Sequence, residues 1–355
     1  MPMNDSDTTR QATEPLLVVR DLHVEFATYG GVVQAVRGVD FEVARGQTLS
    51  IVGESGCGKS VTVQSIMGLI PTPPGRITAG SAKLGGVELL GLPPAEANKY
   101  RGVELGMIFQ DPMTSLNPTM TIGEQIAETL MVHRGQSHGE ALRAAEQLLD
   151  KTRIPEAKRR ARQYPFEFSG GMLQRAMIAQ SLACGPSILI ADEPTTALDV
   201  TIQAQILELM RELQRDDGMS IILITHDLAV VARMSDTVAV MYAGQAIESG
   251  TVDDIFYRSG HPYTLGLKDA MPSNRADRDK QLEPILGSPP DLFDPPAGCG
   301  YFARCPNAMR VCGRETPPEF GQGNGAGHTA RCWLHHPDAP GPEAAGGTSR
   351  PERAN

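Results

Sequence analysis

No stretch of this 355-residue chain is apolar over the roughly 18 consecutive positions that a membrane-spanning helix requires. The opening MPMNDSDTTRQATE lacks the basic start and apolar core of an export signal, so the expected compartment is the cytosol. Positive charge is also short, 32 Lys and Arg against 42 Asp and Glu, and the net −10 argues against a broad nucleic-acid-binding face. The six cysteines include no tight C-x₂₋₄-C pair of the structural-zinc kind and no ferredoxin run, and a reducing compartment disfavours a disulfide framework. No internal repeat is present. What remains is 41% apolar and 21% charged, the composition of a globular protein with room for one large domain or two ordinary ones.

Residues 1–15 and 338–355 are poor in apolar periodicity and are expected to be disordered tails. Between them, LLVVRDLHVEF alternates as a strand, and VDFEVARGQTLSIVG reads as strand, turn and strand. From about 95 to 182 the spacing is helical, with IGEQIAETLMVH and GEALRAAEQLLDKT carrying apolar residues three and four apart. SILIAD and SIILITHD read as buried strands on either side of VTIQAQILELMRELQRDDG, an amphipathic helix closed by Gly218. Strands alternating with helices predict an α/β sheet with a helical insertion. After about 256 the chain turns Pro-, Gly- and Cys-rich, which predicts a second, smaller, loop-rich module.

Chemistry concentrates in a few stretches. Gly53 to Ser60 spell G-x-x-x-x-G-K-S between a predicted strand and a predicted helix, the setting of a phosphate-binding loop. Gly53, Gly56 and Gly58 let backbone amides turn inward, Lys59 is placed to reach the outer phosphates and Ser60 to ligate Mg²⁺. Asp192 and Glu193 end a buried apolar strand, the edge where open α/β sheets bind ligands. Asp192 is expected to hold the magnesium through water and Glu193 to act as general base, whereas acidic residues at a strand end seen in isolation more often cap a helix. Ser169, Gly170 and Gly171 in FEFSGGMLQR precede a further helix and offer hydroxyl and amide donors to an anion. One domain has no second phosphate group for them, so they point to a nucleotide held by another subunit.

In their order and spacing, the phosphate loop, Gln110 in IFQDP, the SGG signature, ILIADE, ALD at 197–199 and His226 in ITHD resemble the ATP-binding-cassette ATPases. The resemblance implies an α/β fold of that phosphate-loop type, with an antiparallel β subdomain, a helical subdomain at about 95–182, and a small loop-rich, Cys-containing C-terminal extension. It implies a cassette over 16–255, an extension over 256–337, and a head-to-tail dimer that sandwiches two ATP molecules with Mg²⁺. On this likeness Ser55, Cys57 and Val61 join the ATP-binding loop. Gln110 senses magnesium and water, Ser169, Gly170 and Gly171 contact the γ-phosphate in trans, Asp199 lies at the dimer seam, and His226 steadies the γ-phosphate. Tyr29 is the expected adenine-stacking residue, with Phe26 its rival or simply core. Phe168 and Met172 depart from the commonest signature while keeping the serine and glycines.

SIVGESGCGKS, TTALDVTIQAQIL, MYAGQAIESG and HPYTLGLKDAMP resemble the ATPase subunits of bacterial oligopeptide and dipeptide importers, a likeness that runs from 18 to about 335. It implies peripheral attachment to the cytoplasmic face of the inner membrane, two permease subunits, a second ATPase subunit in a heterodimer and an extracytoplasmic substrate-binding protein. Nickel complexes, antimicrobial peptides and sugars are alternative solutes. A non-transport cassette protein and a redox- or iron-sensing regulator are rival classes. HPYT is expected to seat the extension and to carry no catalytic role. Cys57 and Cys184 read as small buried residues. The spacing of Cys299, Cys305, Cys312 and Cys332 leaves free thiols, zinc and iron–sulfur open. The resemblance implies a 4Fe-4S cluster on all four, with His328, His335 and His336 expected to be exposed loop residues rather than replacement ligands.

Overall fold

The computed structural model describes residues 15–196, 198–271, 285–323 and 327–339. Most of both expected tails, and Ala197 of the ALD stretch, lie outside the described residues. The strands in chain order are β1 (Pro15–Thr28), β2 (Gly31–Ala44), β3 (Thr48–Val52), β4 (Gly75–Leu84), β5 (Val87–Glu88), β6 (Leu105–Ile108), β7 (Ile188–Asp192), β8 (Ser220–Thr225), β9 (Thr237–Tyr242), β10 (Gln245–Thr251), β11 (Phe320–Gly321) and β12 (Thr329–Ala330).

Two sheets form. The order β2-β1-β4-β5 is antiparallel throughout, and β1 alternates its burial, with Leu22 and Val24 inward, as its sequence demands. The larger sheet runs β11-β12-β10-β9-β3-β8-β7-β6, parallel from β9 to β6. Every residue of β3, β7 and β8 is buried, because helices and the smaller sheet cover both faces of these apolar strands. One core lies between the sheets, around Leu17, Ile51, Val63 and Ile190. A second packs the helix Val200–Asp217 through Ile206 and Met210 against Leu189 and Leu223. That helix ends at Gly218, φ 66°, in the left-handed conformation expected of a glycine cap. A third core belongs to the helical segment and holds Ile122, Ile126, Leu149 and Leu173 from the helices Ile122–Arg134, His138–Lys151 and Gly170–Ser181.

The structure departs from the sequence reading in one place here. The region read as helical contains β6, four buried residues too few to show a period and made a strand by pairing with β7. The region after 256 joins the main sheet, β12 pairing with β10 at Glu248 and Ser249. Tyr301 is buried against Tyr242 and Tyr263, with ring centroids 5.3 and 5.4 Å away. In HPYT, His261 caps the helix Pro262–Asp269 and Tyr263 is fully buried, which seats this part of the chain against the parallel sheet. Among the described residues no helix is long and apolar enough to cross a membrane.

Candidate nucleotide site

The site assembles at the C-terminal ends of parallel strands, where the chain leaves the sheet and its side chains can converge on a ligand. The phosphate loop follows β3 and leads into the helix Lys59–Ile66. Its glycines are needed for space as well as conformation: a Cβ at Gly53 would lie 2.2 Å from the Met241 carbonyl oxygen, and one at Gly58 2.4 Å from that of Ala35. Gly58 adopts φ 100°, which a residue with a Cβ reaches only with strain. Lys59 is buried, and its ammonium donates to the carbonyls of Gly53 (2.8 Å) and Glu54 (3.0 Å), which holds it across the loop.

Ser60 Oγ donates to Asp192 Oδ1 at 2.9 Å, joining the loop to the end of β7. Burial pushes the Asp192 carboxyl up from its ordinary value, and the Ser60 hydrogen bond pulls the other way. Two hard oxygens at this separation beside a phosphate loop fit a magnesium ion, which prefers few protein oxygens and otherwise water or phosphate. Next to Asp192, Glu193 sits at φ 46°, a strained conformation for a residue with a side chain, and its amide donates to Ile224 of β8. Glu193 Oε2 accepts from Thr196 Oγ1 at 2.9 Å, and Gln110 Nε2 and His226 Nδ1 both stand 3.4 Å from it. Gln110 follows β6 and His226 follows β8, so β3, β6, β7 and β8 each deliver one part. The cleft between them, about 570 Å³, is lined by Ser55, Gly56, Gly58, Lys59, Ser60, Val61, Gln110, Glu193 and His226.

Cys57 is buried, as is Cys184. Tyr29 lies fully exposed near the β1–β2 turn, outside the cleft lining, and Phe26 packs on the core between the sheets. At that end the cleft is bordered by Val33, Ala35 and Leu292. Sequence reasoning missed Thr196, Val33, Ala35 and Leu292; a threonine three residues after Glu193 is the one local signal that could have been read. Ser169 and Gly170 are exposed at the start of the helix Gly170–Ser181 and lie outside the cleft lining, as does Gly171. Asp199, also exposed, accepts from the amides of Thr201 and Ile202 and so caps the helix Val200–Asp217.

The iron–sulfur expectation is overturned. Among the described residues no three His, Cys, Asp or Glu side chains are grouped so as to hold a metal ion. Cys299 and Cys305 pack among apolar side chains, and Cys312 and Cys332 are buried. Burial pushes the Cys305 thiol up to about 11 and the Cys332 thiol up to about 12, with neighbouring cysteines adding to both shifts. Cys312 and Cys332 are small core residues, and Cys299 and Cys305 are half-buried against the core. His328 is not an exposed loop residue either: it is buried, with Nε2 3.0 Å from Glu248 Oε1. His335 and His336 are half-buried, and His335 Nε2 stands 2.6 Å from the Gly260 carbonyl.

A phosphate loop in a parallel sheet, facing a strand-end aspartate–glutamate pair, defines a phosphate-loop nucleoside triphosphatase. Family models refine this: residues 36–196 match ABC transporter, and 247–312 match Oligopeptide/dipeptide transporter, C-terminal region. The chain is 54% identical to the dipeptide transport ATP-binding protein DppD of Bacillus subtilis (strain 168), over 90% of this chain and 95% of that one. It is 51% identical to the oligopeptide transport ATP-binding protein OppD of Salmonella typhimurium, over 89% and 95% of the two chains. Among solved structures, the dimeric post-hydrolysis state of the ATP-binding cassette MJ0796, bound to ADP and Pi, superposes with a TM-score of 0.60 at 27% identity, covering 66% of this chain and 98% of that one. The chain belongs to the ATP-binding-cassette transporter family, in its oligopeptide and dipeptide transport branch.

Proposed function

We propose that this chain is the ATP-hydrolysing subunit of an importer for dipeptides and oligopeptides. The observation that carries the reading is identity above 50% along nearly the whole of both chains with proteins described as dipeptide and oligopeptide transport ATP-binding proteins. The convergence of Lys59, Ser60, Gln110, Asp192, Glu193 and His226 at one sheet edge supports it.

The loop amides of Gly53, Ser55, Gly56, Cys57, Gly58 and Val61 cradle the polyphosphate of ATP, with the helix N-terminus behind them. Lys59 exchanges its carbonyl partners for the outer phosphate oxygens. Ser60, Gln110 and Asp192 would hold Mg²⁺, which when bound would neutralise the phosphate charge that develops during hydrolysis. Glu193, steadied by Thr196, takes a proton from the attacking water, and His226 and Gln110 fix that water and the γ-phosphate from either side. Ser169, Gly170 and Gly171 serve the nucleotide of a facing subunit, with Asp199 at the seam. Their exposure outside the cleft in one chain accords with that role. Tyr29 reaches adenine from the hairpin tip.

The cassette occupies 16–255, and a Cys-containing C-terminal region occupies 256–337. At the cytoplasmic face of the membrane the chain docks on two permease subunits beside a second ATPase subunit, and an extracytoplasmic binding protein delivers the peptide. Closure of the dimer on ATP, and opening after hydrolysis, drives the permeases. Glu193→Gln tests the chemistry: hydrolysis should fall at least a hundredfold while ATP·Mg²⁺ stays bound and holds a dimer stable in gel filtration. Hydrolysis at the unsubstituted rate would remove Glu193 from the mechanism.

A further inference from the structure

The second residue of the phosphate loop, Glu54, is held almost entirely by side chains from beyond residue 240. Its carboxylate accepts both arms of the Arg304 guanidinium, Nη1 to Oε2 at 2.8 Å and Nη2 to Oε1 at 3.0 Å. Its amide donates to the phenol oxygen of the fully buried Tyr263 at 2.9 Å. Its carbonyl accepts the Lys59 ammonium. Arg304 is itself fixed. The Arg304 side chain is 6% exposed and lies 5.7 and 5.9 Å from the ring centroids of Tyr242 and Tyr301. Its remaining donors reach Tyr242 Oη (3.0 Å), the Leu286 carbonyl (3.0 Å) and the Ile285 carbonyl (3.3 Å). All five guanidinium N–H groups therefore have an acceptor. The same region touches the cleft again: Leu292 lines it, and its carbonyl accepts the Gln34 amide at 2.9 Å.

A carboxylate beside a polyphosphate site repels the ligand unless a cation neutralises it and holds it away. A bidentate pair with a buried, fully bonded arginine does both, and it pins the backbone on which Lys59 rests. We infer that Arg304 and Tyr263 are positioning residues of the nucleotide site, acting through Glu54 to hold the phosphate loop in its ATP-accepting shape. The C-terminal region thus sets the affinity of the site for ATP rather than the rate of the chemical step. This rests on the nucleotide-site reading above.

The test uses the full chain, the fluorescent analogue TNP-ATP, and steady-state hydrolysis, with thermal unfolding followed in parallel. Arg304→Ala should weaken analogue binding and raise KM by on the order of tenfold, with kcat changed less than about twofold, because it frees an unpaired charge beside the phosphates. Adding Glu54→Gln should recover most of the affinity, and Arg304→Lys should fall between. Recovery is the readout that a merely structural arginine would not show, since a second substitution would then only add damage. Should Arg304→Ala not fold, Tyr263→Phe, which removes only the acceptor of the Glu54 amide, should weaken analogue binding while kcat is kept. Unchanged affinity in a folded Arg304→Ala or Tyr263→Phe chain, or no recovery in the double variant, overturns the inference. Failure of the unsubstituted chain to bind TNP-ATP would instead overturn the nucleotide-site reading.

Discussion

Acid should destabilise this protein through His261. The imidazole is 1% exposed; its Nδ1 accepts the Tyr263 amide at 3.0 Å, and its Nε2 has no hydrogen-bond partner among the described residues. A proton on Nδ1 would break the helix cap and put a charge beside the Tyr301 ring, with His335 adding to the penalty. Burial accordingly lowers its pKa from 6.5 to about 3. Above pH 6.5 neither the folded nor the unfolded chain carries this proton, so the contribution to stability is complete. Between 6.5 and about 3 only the unfolded chain takes it up, and stability falls by about 1.4 kcal/mol per pH unit. At pH 5.0 the loss from this one group is about 2 kcal/mol. Urea unfolding at pH 7.5 and 5.0 should show it, compared with His261→Asn, which keeps a side-chain cap and cannot titrate. The unsubstituted chain should lose about 2 kcal/mol more than the variant over that interval. Equal losses would refute the assignment of a neutral buried imidazole.

Gly58→Ala puts a methyl group 2.4 Å from the Ala35 carbonyl at φ 100°, at a strain of about 1–3 kcal/mol before the loop shifts. Its melting temperature should drop by several degrees and its ATP affinity by at least about tenfold, read by calorimetry and nucleotide titration. Asp192→Asn should separate stability from activity. Because burial disfavours the charged form, melting should be unchanged or slightly raised, while magnesium-dependent hydrolysis falls at least about a hundredfold. A marked loss of stability with retained hydrolysis would contradict the role given to Asp192.

What could be read from the chain was local. Gly53 to Ser60, Asp192, Glu193 and His226 each sit at a strand end that announces itself by an apolar run, and the sheet then brings them together. The helix from Val200 was legible from its amphipathic spacing and its glycine stop. What escaped depended on distant partners. Arg304 and Glu54 are 250 positions apart, and nothing near either residue signals their pairing. His328 reads as a loop histidine until β12 pairs with β10 and carries it to Glu248. The cysteine spacing left a metal open because spacing in the chain does not report how side chains are grouped in space, and among the described residues no metal-holding group forms. β6 was hidden inside a helical stretch because four residues carry no period, and only β7 makes them a strand.

Peptide uptake tests the central claim most directly. In bacterial cells from which this chain has been deleted, with its permeases and binding protein intact, uptake of a labelled di- or tripeptide should be restored by the unsubstituted chain and not by Lys59→Ala made at the same level. Restoration by Lys59→Ala, or none by the unsubstituted chain, would contradict the account of a subunit that drives peptide import with ATP.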